Sequence, residues 1–135
     1  MVAPAVRELV RERAGRRCEY CRAPEEVTGS RYQIDHILPR SLGGGDEPEN
    51  LALGCTSCNL AKSNYVSGLD PETQEQVALF QPRKDRWEDH FAFMRTTSEL
   101  RGKTATGRAT VSQLKMNSAY QVEARKLWVQ LGLYP

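Results

Sequence analysis

Four cysteines, paired as Cys18-x2-Cys21 and Cys55-x2-Cys58, constrain this chain more than any other feature. A two-residue spacer lets both thiolates of a pair reach one tetrahedral ion at about 2.3 Å. Two pairs complete a four-thiolate shell with no open position, so the implied ion is a structural zinc rather than a reactive one. Two redox dithiols or an iron–sulfur centre are the other readings of the same spacing. The N-terminal stretch lacks the apolar core of a secretory signal, and no apolar run approaches the roughly 20 residues of a membrane span. The expectation is a cytoplasmic chain without membrane contact, where disulfides are disfavoured and thiols read as metal ligands. A chain of 135 residues buries a modest core, so a zinc staple contributing on the order of 10 kcal/mol would matter to its fold.

The clamp also isolates a segment. The 33 residues between Cys21 and Cys55 exceed the roughly 15–20 of a plain zinc ribbon. They hold an RYQIDHI stretch, a Pro- and Gly-rich loop over 38–50, and a brief apolar strand over 51–54. Alternation across 31–37 predicts a strand with Tyr32, Ile34 and His36 on one side and Gln33 and Asp35 on the other. A helix is predicted over 58–64. Before the clamp, Val6, Leu9, Val10 and Ala14 line one face of a helix over 5–14, with Pro4 in its first turn. After it come a short helix at Pro71–Leu79 behind an Asp70 cap, an aromatic, partly stranded segment to Met94, and helices at 109–116 and 118–131. The fold class is α+β, a small core on a four-Cys zinc site with an N-terminal helix and a mostly helical C-terminal extension. Residues 1–79 are expected to form the core and 80–135 an extension packed on it.

Charge is unevenly spread. Residues 1–40 carry eight Arg against six acids, 41–80 one Lys against six acids, and 81–135 ten Lys or Arg against five acids. Basic flanks around an acidic centre suit a nucleic-acid surface with a cation site in the middle, although solvated helix faces give the same pattern. The Gly43-Gly44-Gly45 run is no phosphate loop, because no Lys-Ser/Thr follows it.

Within and beside the clamp stand Asp35-His36, Asn50 and Asn59, with thirteen residues between His36 and Asn50 and eight between Asn50 and Asn59. Each alone is ordinary: an Asp-His dipeptide is usually a strand with a routine hydrogen bond, and an Asn after a Cys is usually a cap. Together, CEYC followed by YQIDHILPRSLGGGDEPENLALGCTSCNLAKS resembles the HNH endonuclease family, a branch of the ββα-metal nucleases. The resemblance implies that His36 is the general base, that Asp35 binds the catalytic divalent ion, and that Asn50 holds the loop and orients the imidazole. The final position is histidine in the founding pattern and Asn59 here, whose amide oxygen can still bind a hard cation such as Mg²⁺ or Mn²⁺. The implied reaction is hydrolysis of DNA to a 5′-phosphate and a 3′-hydroxyl. Pro82-Arg83-x-Asp85-x-Trp87-x2-His90-Phe91 and Thr106-Gly107-Arg108-Ala109-Thr110 resemble a C-terminal extension of bacterial HNH proteins.

The residues support these roles independently. A histidine with an ordinary pKa near 6.5 is a suitable base at neutral pH. Strand neighbours face opposite sides, which allows one to bind an ion while the other activates water. One carboxylate and one amide leave positions on an ion open for water and phosphate oxygens. Arg40, Lys62 and Ser63 are the candidates for phosphate contact, Lys62 lying a helical turn beyond Asn59. Arg83, Arg86, Arg95 and Arg101 could extend a DNA track. His90 is a further ligand, a partner of the ion site, or a ring packed with Trp87 and Phe91. The competing functions are a zinc-containing nucleic-acid-binding module without catalysis and a structural zinc domain. No dimerisation heptad appears, so a monomer or weak dimer is expected.

Overall fold

The computed structural model describes all residues 1–135. Helix α1 (Pro4–Arg13) begins with Pro4 in its first turn and ends on basic residues that suit its dipole. Val10 is fully buried while Leu9, expected on the same apolar face, is exposed. Polar stitches hold the helix instead. The buried Arg11 pairs with Glu25 and donates to the Tyr32 carbonyl at 3.0 Å. Arg13 donates to the carbonyls of Pro48 (3.1 Å) and Leu51 (2.7 Å).

Strands β1 (Gln33–His36) and β2 (Leu51–Gly54) pair antiparallel, with Asp35 opposite Ala52 and His36 opposite Leu51. All four residues of β2 are buried. Helix α2 (Thr56–Lys62) follows at once, capped by the Cys55 sulfur accepting from the Cys58 amide. It starts two residues before the expected point because that sulfur does the work of an N-cap oxygen. The mixed architecture, with a β1-β2-α2 unit on a four-Cys site, is a small ββα-metal fold.

The remainder departs further from expectation. The helix expected at Pro71–Leu79 is absent, and β3 (Ser67–Leu69) and β4 (Gln76–Ala78) form a hairpin there. Asp70 causes it. Its carboxylate accepts from the Glu72 amide and the Thr73 hydroxyl, and its backbone closes on Gln74 and Glu75, so the cap residue shapes a turn rather than opening a helix. A single-turn helix α3 (Trp87–His90) leads into a hairpin of β5 (Phe91–Met94) and β6 (Glu99–Gly102). Helix α4 (Ala105–Gln113) starts at a Thr104 cap, earlier than expected, and α5 (Ala119–Gln130) at Ser118 as expected.

This C-terminal half touches the clamp directly. Trp87 Nε1 donates to the Tyr20 carbonyl at 2.8 Å, and the Tyr134 hydroxyl to the Cys21 carbonyl at 2.9 Å. Arg108 binds the buried Asp70 through two nitrogens at 2.9 Å, tying α4 to the first hairpin. No helix is long and apolar enough to cross a membrane.

Candidate active site

The four cysteine sulfurs lie within 4.8 Å of one another. Cys21 Sγ and Cys55 Sγ are 3.7 Å apart, near the edge, about 3.8 Å, of a tetrahedron whose corners lie about 2.3 Å from its centre. In each pair the second cysteine's amide donates to the first sulfur, at 3.4 and 3.3 Å. Bonds from Cys18, Cys21 and Cys58 hold the Cys55 thiol far below its usual range, and contacts led by Cys18 push Cys21 and Cys58 up. Crowded sulfurs sharing protons in this way are what a dication would resolve, so the residues fit structural zinc. The first knuckle is also bonded to β2, Glu19 and Leu53 exchanging hydrogen bonds at 2.8 Å.

On that frame, β1 turns Asp35 and His36 to opposite faces. Asp35 is 4% exposed. Tyr20 donates its hydroxyl to Asp35 Oδ2 at 2.6 Å, and Lys62 Nζ lies 3.2 Å from Oδ2 and 3.4 Å from Oδ1. Burial raises the Asp35 carboxyl, opposed by Lys62 and Tyr20, and burial beside that charge pushes the Tyr20 phenol well up. The Lys62 ammonium also faces the carbonyls of His36 and Ile37 at 3.5 Å. Lys62 is therefore corrected: it is 2% exposed and points into the protein, so it is no surface phosphate contact. A buried ammonium keeps its charge only beside such oxygens.

Asn59, one turn earlier on α2, is half-buried. A Cβ on Gly54 would stand 3.7 Å from Asn59 Cβ and 3.9 Å from Asp35 Cβ, so glycine leaves a gap between the two side chains. The Asp35 carboxylate and the Asn59 amide are hard oxygen donors, the kind that fit Mg²⁺ or Mn²⁺ in chemistry. An ion at Asp35 would share the carboxylate with Lys62 or displace it.

His36 opens instead onto a groove of about 550 Å³ lined also by Arg7, Ile34, Arg40, Ser41 and Asn64. A second groove, of about 530 Å³, meets it at Arg7 and Ile34 and carries Arg31, Gln33 and Asn59. His36 Nε2 lies 2.7 Å from Asp46 Oδ1, and Arg40 grips the same carboxylate from Nη2 at 2.8 and 2.9 Å. These bonds, His36's foremost, lower the Asp46 carboxyl to about 2. Asn50 clamps the loop, accepting from the Leu38 amide (2.8 Å) and donating to the carbonyls of Leu38 (3.0 Å) and Gly45 (2.9 Å). It makes no hydrogen bond to the imidazole, so the side chain holding that ring is Asp46 rather than the expected Asn50. Gly44 makes the clamp possible, since a Cβ there would fall 1.7 Å from the Leu38 oxygen.

Residues 18–65, about a third of the chain, match the model of the HNH endonuclease family. Residues 18–65 are an HNH domain. No curated protein and no solved structure matches the chain. The HNH segment spans both cysteine pairs, Asp35, His36, Asn50 and Asn59.

Ser63 ends α2 exposed, and Arg40 is exposed on the His36 groove. His90 stands apart from the HNH segment, bonded through Nδ1 to the Thr104 hydroxyl at 2.7 Å and packed edge-on to Phe80. Asp46, Tyr20 and Arg7 were not among the residues singled out in the sequence. Asp46 follows directly on the Gly run four positions before Asn50, and Tyr20 sits inside the first cysteine pair, so both carried a positional signal.

Proposed function

We propose that this protein is a metal-dependent endonuclease that hydrolyses DNA phosphodiester bonds, with His36 as the general base. The observation that supports it best is the imidazole of an HNH domain facing an arginine-lined groove while its strand neighbour Asp35 is turned inward. Arg7, Arg31 and Arg40 give the groove positive charge for a phosphate backbone, and Asn64 and Ser41 add neutral polar groups. His36 accepts the proton of the attacking water, and Arg40 steadies charge on the phosphate. Asn50 keeps the 38–50 loop folded so that both stay on one side of the groove.

Asp35 and Asn59 would hold a Mg²⁺ or Mn²⁺ ion, and Arg40 and Ser63 would touch the backbone. Such an ion would supply positive charge to the scissile phosphate and the leaving 3′-oxygen. The zinc shell of Cys18, Cys21, Cys55 and Cys58 takes no part in the reaction and keeps β1 and α2 in register. Residues 80–135 serve as a buttress on the clamp, acting with residues 1–79 as one module in the cytoplasm, as a monomer or weak dimer.

The test is incubation of supercoiled plasmid with Mg²⁺ or Mn²⁺, with EDTA, and with His36→Ala. Nicking that needs the ion and is lost in the variant is the expected result. A retarded but intact plasmid would point to a binding module without catalysis. Neither effect would leave a structural zinc domain.

A further inference from the structure

The 38–50 loop holds a charged group that the roles above leave unused. Its two ends are pinned by Asn50, and its glycines let it fold flat against Leu38. The first side chain after Gly45 is thereby delivered to the end of β1. That side chain is Asp46, and one of its oxygens meets both the imidazole Nε2 of His36 at 2.7 Å and the guanidinium of Arg40 at 2.8 Å. Its other oxygen takes Arg40 Nη2 at 2.9 Å and lies 3.8 Å from the terminal amine of Met1.

We propose that Asp46 is a positioning residue of the nuclease reaction: it fixes His36 with the proton on Nε2, leaves Nδ1 as the proton-accepting atom, and holds Arg40 on the same side as that base. The proposal rests on the nuclease reading above. A carboxylate gripped by the Arg40 guanidinium accepts hydrogen bonds and donates none, so the nitrogen it faces must carry the proton. In a neutral imidazole the lone pair is then on the other nitrogen, and tautomer choice by a carboxylate is a general device for aiming a histidine base. In the reaction, Nδ1 takes one proton from water as the water oxygen bonds to phosphorus. The P–O3′ bond breaks with its electron pair leaving on the 3′-oxygen, which is protonated from solvent. The imidazolium formed is stabilised by the Asp46 carboxylate and returns its proton to solvent. Arg40, gripped by the same carboxylate, is thereby kept where the phosphate charge builds.

The chain has only two histidines, so the ¹⁵N imidazole spectrum of the labelled protein holds two rings, and His36→Ala assigns them. Near pH 8.5, where an ordinary histidine is neutral, wild-type His36 should show the Nε2–H tautomer without DNA or divalent ion. Asp46→Ala should give a mixture of tautomers and, with unchanged melting temperature, lower kcat about 10- to 100-fold. Arg40→Ala should leave the tautomer as in wild type while lowering kcat, since it removes charge where the phosphate reacts. An Nδ1–H tautomer in wild type overturns the proposal, and so does an Asp46→Ala kcat within twofold of wild type. A wild type that cuts no DNA overturns the nuclease reading and with it the positioning role, whatever tautomer the spectrum shows.

Discussion

Asp35 and His36 are neighbours on one strand, and they end in opposite surroundings. The face of β1 that carries Asp35 is sealed by α2 and the first cysteine knuckle, and every polar contact of its carboxylate is internal. The face that carries His36 opens to a groove, and its partner Asp46 belongs to a surface loop. Two-residue periodicity alone requires that the pair diverge. What it does not require is that one side become a buried ion pair and the other the edge of an open groove. That difference follows from the flanking elements: Lys62 and Tyr20 come from the helix and knuckle that carry the four cysteines, while Asp46 and Arg40 come from the glycine-rich insert. The Asp35 face is therefore expected to register in stability as well as in any metal-dependent activity, and the His36 face in chemistry alone.

The largest effect should erase the difference by removing the frame beneath both faces. Stripping the ion with a strong chelator under reducing conditions, or Cys58→Ser, should cost on the order of 10 kcal/mol. Loss of the cooperative melting transition and of near-ultraviolet circular dichroism would show it, and reversal on adding Zn²⁺ would tie it to the metal. A chelated protein that melts like the untreated one would sink the zinc assignment.

Next in size is a test confined to the sealed face. Lys62→Met leaves the Asp35 charge buried beside an apolar chain, and losing one partner of such a pair costs about 3–5 kcal/mol. Chemical denaturation should report this as a lower midpoint at unchanged slope. Combining it with Asp35→Leu should restore a large part, because an apolar pair removes the unpaired charge. Were Lys62 a surface residue, the single variant would fall within about 0.5 kcal/mol of wild type.

The open face should behave in reverse. His36→Ala should lower cleavage by about 10²–10⁴-fold and change stability by less than about 0.5 kcal/mol. Plasmid nicking and a melt on the same sample suffice to check it. A variant that loses both together would show that the groove side is structural as well.

The contrast also explains how much could be read from the sequence. The cysteine spacing and the β1-β2-α2 order were legible because each rests on local geometry: a two-residue spacer, a period of two, a cap beside a helix. Asp35 and His36 facing apart was legible for the same reason. The direction taken by Lys62 was not, since a lysine at the end of a short helix can point either way and only the distant Asp35 decides. Asp46 was hidden behind Asn50 because it reaches His36 only after the loop has folded, through Gly44's contact with Leu38. The hairpin at Ser67–Ala78 was missed because Asp70 signals a helix cap and a turn equally, and Arg108, 38 residues on, selects the turn. Arg125, buried against the carbonyls of Ser98 and Met116, likewise owes its place to partners that no local pattern names.

Asp70 provides the mildest and most specific probe, because it is a second sealed carboxylate outside the HNH segment. Asp35 is held up by burial, whereas Asp70 is held well below its ordinary 3.8, first by the Arg108 guanidinium. A carboxyl whose folded value lies below its unfolded one contributes stability that is whole above the unfolded value and is lost as pH falls through the folded one. Melting temperature should therefore decline as pH drops from about 4. Asp70→Asn should melt lower than wild type at pH 7 and decline less steeply over that acid range, the two curves converging. DNA cleavage at pH 7, measured well below the melting point, should be unchanged, since the Asp70–Arg108 link shares no residue with the groove of His36. Parallel melting curves would mean that Arg108 leaves the carboxyl unperturbed, and the hairpin would then owe its turn to Thr73 and the backbone alone.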